Sequence, residues 1–186
     1  MTTDYLVVDD YLTPAQADEL EKLMFGNYFP WYFLDNTTTP EGTRDPNEVE
    51  CPMFVHNLYF EGAVNNPGYQ QMLREFRFDP AILTRMKANM LLARPSESRH
   101  TPFHVDRVDP HYTVIYYVNE SDGATLIQSG QGQILVEPRK GRIVLFSGAL
   151  KHANYLPARG SRCVINFNFQ AYPLPGEPPF PSGGSP

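Results

Sequence analysis

The sequence predicts a mostly β domain with N-terminal helices, its strands forming a double-stranded β-helix barrel of the jelly-roll, cupin-like kind. Three observations lead there. Short apolar runs follow one another closely from residue 88 to residue 169. Turn formers such as Asp122-Gly123, Gly130-Gln131-Gly132 and Pro138-Arg139-Lys140-Gly141 separate them. Helical spacing of apolar residues is confined to the part of the chain before residue 85. About eight short antiparallel strands preceded by helices are the pattern of that architecture.

In chain order, Tyr5 to Asp9 reads as a strand. Thr13 suits a helix N-cap, with Pro14 at the first helical position. That helix is expected to run to about Phe25 and to stop at Gly26-Asn27. Ala17, Leu20, Leu23 and Met24 are expected to form its buried stripe. Phe29 to Leu34 and Met53 to Phe60 are aromatic-rich strand candidates, and His56 in the second reads as a structural or surface residue. Residues 36–46, rich in Thr, Gly, Pro and Asp, read as a loop, and the wider stretch 35–50 with the aromatics near Trp31 is expected to shape a substrate entrance. Helical segments are expected over Pro67–Phe76 and Pro80–Thr84. Strands follow at 88–94 and, after a turn-rich link over 95–98, at 99–106, 112–119, 124–127, 133–136, 142–146, 152–155 and 162–169. This gives one domain over 1–172, with helical and strand support to residue 87 and a core barrel from 88, followed by a Pro/Gly-rich tail at 173–186 expected to be disordered.

The 186 residues suit a single domain with a sizeable core, and a composition 41% hydrophobic and 19% charged reads as globular. A net charge of −6 gives no general attraction to nucleic acid. Two cysteines, Cys51 and Cys163, are too few for a disulfide framework, and no pairing between them is expected. The start Met1-Thr2-Thr3-Asp4 lacks the features of a signal peptide, and no run approaches the ~20 apolar residues of a membrane helix. The expected setting is therefore cytoplasmic, with no membrane partner.

The chemistry gathers in Pro102-Phe103-His104-Val105-Asp106-Arg107. On an extended backbone, residues two apart point the same way, so His104 and Asp106 can grip one ion. A third ligand must come from elsewhere, and the later half of the chain offers His152. Two imidazoles and one carboxylate on one side of a metal suit non-haem Fe(II) and oxygen chemistry. His100, His111 and Asp109 lie nearby and compete with these residues. They are read as decoys, Asp109 because Pro110 after it favours a turn. In the run 162–169, the even positions Arg162, Val164, Asn166 and Asn168 form one face, and Cys163, Ile165, Phe167 and Phe169 the greasy opposite face. A guanidinium pointing into a barrel needs an anion, which a small dicarboxylate would supply.

The order of His-x-Asp, the strand Thr113–Asn119, the strand Gly141–Phe146, His152 and Arg162 resembles the Fe(II)/2-oxoglutarate-dependent dioxygenases, specifically their prolyl-hydroxylase-like branch. The resemblance covers roughly residues 88–170. It implies that His104, Asp106 and His152 bind Fe(II) and that Arg162 holds the distal carboxylate of 2-oxoglutarate. Tyr117 matches a tyrosine whose hydroxyl assists at that carboxylate. Asn166 falls where the family often has Thr or Ser, and Arg94 where some relatives carry a tyrosine before proline. An arginine at 94 can reach a second anion or form a rim ion pair. The implied activity is hydroxylation by O2 of a peptidyl side chain, an amino acid or another small molecule, with release of succinate and CO2 and ascorbate as a reductant. Two other readings stay open, a metal-binding cupin of another reaction class and a non-catalytic barrel module. Arg162 and Tyr117 argue against the first, and the intact ligand triad against the second.

Overall fold

A computed structural model describes residues 4–37, 46–94, 100–180 and 182. Most of the loop expected at 36–46, the link at 95–98 and the last residues of the tail lie outside the described residues.

The chain opens with β1 (Tyr5–Val8) and α1 (Pro14–Met24). Thr13 caps α1 as expected. Gln16 completes a capping box, its amide donating to Thr13 Oγ1 and its Oε1 accepting from the Thr13 amide. Ala17, Leu20 and Met24 are buried, but Leu23, expected among them, is 49% exposed. At 3.6 residues per turn, Leu23 stands about 90° from the centre of the stripe that the other three define, at its outer edge.

Next come β2 (Tyr32–Leu34), β3 (Met53–Phe60), β4 (Ala63–Val64), α2 (Tyr69–Phe76) and a 3-10 turn at Pro80–Ile82. The remaining strands are β5 (Leu83–Leu92), β6 (Tyr112–Tyr117), β7 (Ala124–Ser129), β8 (Gly132–Val136), β9 (Ile143–Ser147), β10 (His152–Tyr155) and β11 (Ser161–Phe169). The described residues are thus mostly β, with two α-helices among them.

One sheet of eight strands has the order β1-β9-β6-β11-β5-β3-β2, with β4 beside β3, and a second has the order β10-β7-β8. The ladders do not close on themselves, so the hydrogen bonding describes two open sheets. β6 and β7 belong to different sheets, so Asp122-Gly123 lies on a crossing between sheets and not in a hairpin.

Over the described residues 100–106, the strand expected at 99–106 does not form. His100 and His104 make isolated bridges, to Tyr155 and His152 respectively, and the backbone between them is irregular. Pro102, which has no N–H to donate, stands between the two bridges and breaks the ladder.

The alternation on β11 sorts the interior. Cys163, Ile165, Phe167 and Phe169 join Val114 and Tyr116 of β6 and Met24, Leu73 and Phe76 of the helices in the main core. Phe76 meets Phe167 edge-on, ring centroids 5.0 Å apart. On the other face, Val164, Ile115, Tyr117, Val144 and Phe146 pack against Ile127 and Val136 of the small sheet. Cys51 sits in a third cluster with Met53, Val55, Leu91 and Leu156, apart from Cys163, and both cysteines are buried. Within the stretch expected to be disordered, Leu174 packs on the main core and Phe180 is buried, its carbonyl accepting from Tyr112 Oη at 3.1 Å. No helix among the described residues is long and apolar enough to cross a membrane.

Candidate metal centre

A cavity of about 330 Å³ is walled by alternate residues of the large sheet, by β10 of the small one and by the irregular segment at 104–106. β5 contributes Arg85, Lys87 and Asn89, β11 Val164 and Asn166, and β10 His152 and Asn154.

His104 and His152 exchange both backbone hydrogen bonds, at 3.0 and 2.9 Å. That single bridge replaces the expected strand as the device that sets the two imidazoles side by side, 4.6 Å between ring centroids. His104 Nδ1 lies 3.2 Å from the Pro102 carbonyl. Donation there leaves Nε2 as the lone-pair nitrogen.

Asp106 is held from three directions. Arg85 Nη1 donates to Oδ1, and the side-chain amides of Asn166 and Asn168 donate to Oδ2, each at 3.0 Å. The strand pairing explains the convergence, because Asn168 stands opposite Arg85 between β11 and β5. Burial pushes the Asp106 carboxyl up, but His152, Arg85, the Asn168 hydrogen bond and His104 together hold it well below the usual carboxylate range. Burial pushes His152 down to about 4, against the pull of Asp106, so its imidazole is neutral at pH 7. His152 Nε2 stands 3.8 Å from Asp106 Oδ2, and one ligand atom each from His104, Asp106 and His152 all lie within 4.8 Å of one another. The neutral imidazole of His152, the imidazole of His104 and the ionised carboxylate of Asp106 therefore face one point. This donor set fits a divalent transition-metal ion.

Arg162 is buried at 1% exposure and lies behind Asn154, outside the cavity lining. Its Nη1 donates to Asn154 Oδ1 at 2.8 Å and its Nη2 to Thr125 Oγ1 at 2.6 Å, while Nε is buried without a partner. Tyr117 joins this group through a 2.6 Å hydrogen bond between its hydroxyl and that of Thr125, and its ring lies 5.5 Å from the guanidinium carbon. Asn166 faces the cavity but spends its amide on Asp106. Arg94 follows β5, its backbone amide on the Pro157 carbonyl at 2.8 Å, and does not line the cavity. Trp31 donates to the Met24 carbonyl at 3.0 Å and lies outside the lining, whereas Thr37 belongs to it. His56 is buried against Phe29 and Tyr32. His100, His111 and Asp109 stand outside the ligand group.

Arg85, Lys87, Asn89, Thr125 and Asn154 carry the rest of the site. A period-2 reading of β5 puts Arg85, Lys87 and Asn89 on one face, but charged residues at that spacing ordinarily mark a solvated face. Only the fold shows that they face a cavity.

No protein-family model matches the sequence, and no curated protein matches it. Solved structures do match. An oxidoreductase of the 2OG-Fe(II) oxygenase family from Burkholderia pseudomallei superposes with a TM-score of 0.65 at 14% identity, over 89% of this chain and 84% of that one. A prolyl-4-hydroxylase from Pseudomonas putida gives 0.57 at 17%, over 90% of this chain and 92% of that one. The epimerase SnoN, in complex with Fe3+, alpha-ketoglutarate and nogalamycin RO, gives 0.61 at 10%, over 98% and 92%. The chain shares the fold of the 2OG-Fe(II) oxygenases. Prolyl hydroxylases are among these neighbours, in keeping with the branch that the sequence resembles.

Proposed function

We propose that this protein is a non-haem Fe(II)- and 2-oxoglutarate-dependent dioxygenase, most simply a hydroxylase. The observation that carries the reading is the convergence of His104, Asp106 and His152, ligand atoms within 4.8 Å, on the wall of a cavity. The fold shared with 2OG-Fe(II) oxygenases supports it, and the two sheets are read as the double-stranded β-helix of that class.

In this reading His104, Asp106 and His152 hold the metal on one side and leave its other positions open. Arg85, Asn166 and Asn168 fix the orientation and charge of Asp106. Arg162, Thr125 and Tyr117 hold the distal carboxylate of 2-oxoglutarate, and the unpartnered Nε of Arg162 is a donor still to be used. Asn154, between cavity and guanidinium, yields its place on Arg162 to that carboxylate. Met53, Ile115 and Val164 supply an apolar wall that excludes water. Bound together, Fe(II) and 2-oxoglutarate supply the oxidising power to hydroxylate a C–H bond with O2, releasing succinate and CO2. Arg94 is a rim residue for a second anion. The substrate is a small molecule, an amino acid or a peptidyl side chain, and ascorbate serves as reductant. The two cysteines, each buried in its own cluster, agree with a reducing, cytoplasmic setting.

One observation favours the second reading, a metal-binding cupin without the cosubstrate. Arg162 already has neutral partners in Asn154 and Thr125. Anaerobic titration of 2-oxoglutarate into the Fe(II)-loaded protein separates the two. A visible charge-transfer absorption, with Fe(II)-dependent release of succinate in air, is expected for the dioxygenase. Iron binding without that absorption would leave the second reading.

A further inference from the structure

β5 lays three polar side chains in a row along the cavity, and the metal chemistry uses only the first. Arg85 spends Nη1 on Asp106 and Asn168, at 3.0 and 3.5 Å. Lys87 lines the same cavity and, among the described residues, has neither a hydrogen bond nor an ion pair. The side-chain oxygen of Asn89 is buried there with no partner. Long cations on a strand ordinarily reach water or a carboxylate. Lys87 does neither fully, and burial, aided by Arg85, pushes its ammonium down to about 8 against the pull of Asp106.

Charge balance points the same way. Within the cavity Arg85 and Asp106 cancel. A divalent metal and a dicarboxylate dianion cancel too, which leaves two cations: Arg162, held by the neutral Asn154 and Thr125 outside the cavity lining, and Lys87 on the lining. Lys87 is the surplus cation that lines the cavity, and a further negative group bound there would balance it.

We infer that Lys87 and Asn89 form the subsite for the primary substrate, and that this substrate is a small organic anion. Its negative group pairs with Lys87, and a neighbouring N–H or O–H donates to Asn89. Such a molecule leaves no charge or buried acceptor unmatched on β5. At about 330 Å³ the cavity is at the small end of ligand sites, so with a cosubstrate present it admits only a compact acid. The inference rests on the dioxygenase reading above.

The test uses Fe(II)- and 2-oxoglutarate-loaded protein without oxygen. N-acetylated L-amino acids and small hydroxy acids are titrated beside their uncharged amides and beside matched phosphate monoesters. Binding is read from the shift that each causes in the charge-transfer absorption. In the wild type an acid or phosphate is expected to bind at least about tenfold more tightly than its neutral counterpart. The comparison of acids with phosphates tells which anion the subsite takes. Lys87→Met should abolish the preference, and Lys87→Arg should restore most of it. Both variants should keep the wild-type affinity for 2-oxoglutarate itself. Equal binding of charged and neutral members, binding of none of them, or an intact preference in Lys87→Met overturns the subsite. Lys87→Met that weakens 2-oxoglutarate about tenfold instead makes Lys87 a cosubstrate residue, which also overturns it. Absence of the charge-transfer absorption from the wild type defeats the dioxygenase reading itself, a separate result.

Discussion

Asp106 is a residue whose two carboxylate oxygens are both held by the fold. Arg85, Asn166 and Asn168 each donate to it at 3.0 Å, so its carboxylate has one orientation before any ion arrives. Asp106→Ala is expected to abolish Fe(II) binding in an anaerobic metal titration. It should also lower the thermal midpoint, because removing one member of a buried charge pair costs on the order of 2–5 kcal/mol. Asp106→Asn keeps the shape and some hydrogen bonding, so it should lose the metal with a smaller loss of stability. Full iron affinity in purified Asp106→Ala would remove the residue from the ligand set.

Arg162 makes a different argument at the same scale. The sequence shows an arginine that must point inward, because it opens an alternating strand with a greasy opposite face. It does not show Thr125 and Asn154, which come from other strands and accept from Nη2 and Nη1 without a carboxylate, leaving Nε unpartnered. Since the guanidinium of Arg162 donates to Asn154 and Thr125 and not to His104, Asp106 or His152, its loss should separate cosubstrate from iron. Arg162→Ala is expected to weaken 2-oxoglutarate binding by about 2–5 kcal/mol while Fe(II) affinity stays near wild type. Arg162→Lys should fall between, since an ammonium lacks the planar fork that reaches two partners at once. Superimposable 2-oxoglutarate titrations for wild type and Arg162→Ala would place the clamp elsewhere.

At the scale of elements, β5 and β11 show how much a two-residue period conveys. On β11 the greasy odd face and the polar even face were both readable, and the structure keeps them. On β5 the parity is equally clear, with Arg85, Lys87 and Asn89 alternating with Met86, Ala88 and Met90. What the period leaves out is which face is roofed. The reverse failure occurs at 100–106, where His-x-Asp marks the site correctly but the regular strand assumed for it is absent. A bridge to His152, 48 residues away in the chain, does that work, and no local pattern encodes such a partner.

The sheet crossing after β6 holds another element-scale prediction. Gly123 reads as a turn glycine, yet it is absent from the glycines with positive φ. Its need is for space. A Cβ there would lie 2.8 Å from the Tyr155 carbonyl oxygen and 3.2 Å from Arg162 Cδ. Backbone cannot retreat as a flexible side-chain end can, so Gly123→Ala should shift both neighbours and cost about 1–3 kcal/mol. The variant should weaken 2-oxoglutarate more than Fe(II), because it presses on Arg162 and not on the triad. A thermal midpoint and both affinities equal to wild type would show that the crossing has room to spare.

Across the whole molecule, the sequence conveys a β-rich domain with a metal centre, but not how the first third of the chain joins it. The stretch before residue 87 reads as support, whereas β1 extends the large sheet beside β9 and β3 extends it beside β5. Such pairings depend on complementary edges brought together by the rest of the fold. The cysteines follow the same logic. Cys163 faces the helical core and Cys51 a separate cluster, so burial of each in its own layer keeps them apart.

Global stability should carry the signature of the buried centre in its pH dependence. His152 is packed edge-on against Phe146, ring centroids 5.2 Å apart, and beside His104. Burial lowers it from an ordinary 6.5 to about 4 in the folded chain. Between those two values the unfolded chain binds a proton at residue 152 that the folded chain refuses. Unfolding therefore takes up a proton, and the metal-free protein should lose stability as pH falls through this window. The contribution is fully present above about pH 6.5, and its loss reaches roughly 3 kcal/mol by pH 4. Asp106 acts in the same direction at lower pH, because its folded carboxyl resists protonation more than the unfolded one. Denaturant unfolding of metal-free wild type at several pH values between 4 and 7 measures the slope. His152→Ala is less stable throughout but should show a flatter acid limb, since the group that takes up the proton is gone. An identical slope in wild type and variant would mean that another group titrates there. It would also mean that His152 does not enter the site already neutral, the form in which an imidazole can receive a metal without first losing a proton.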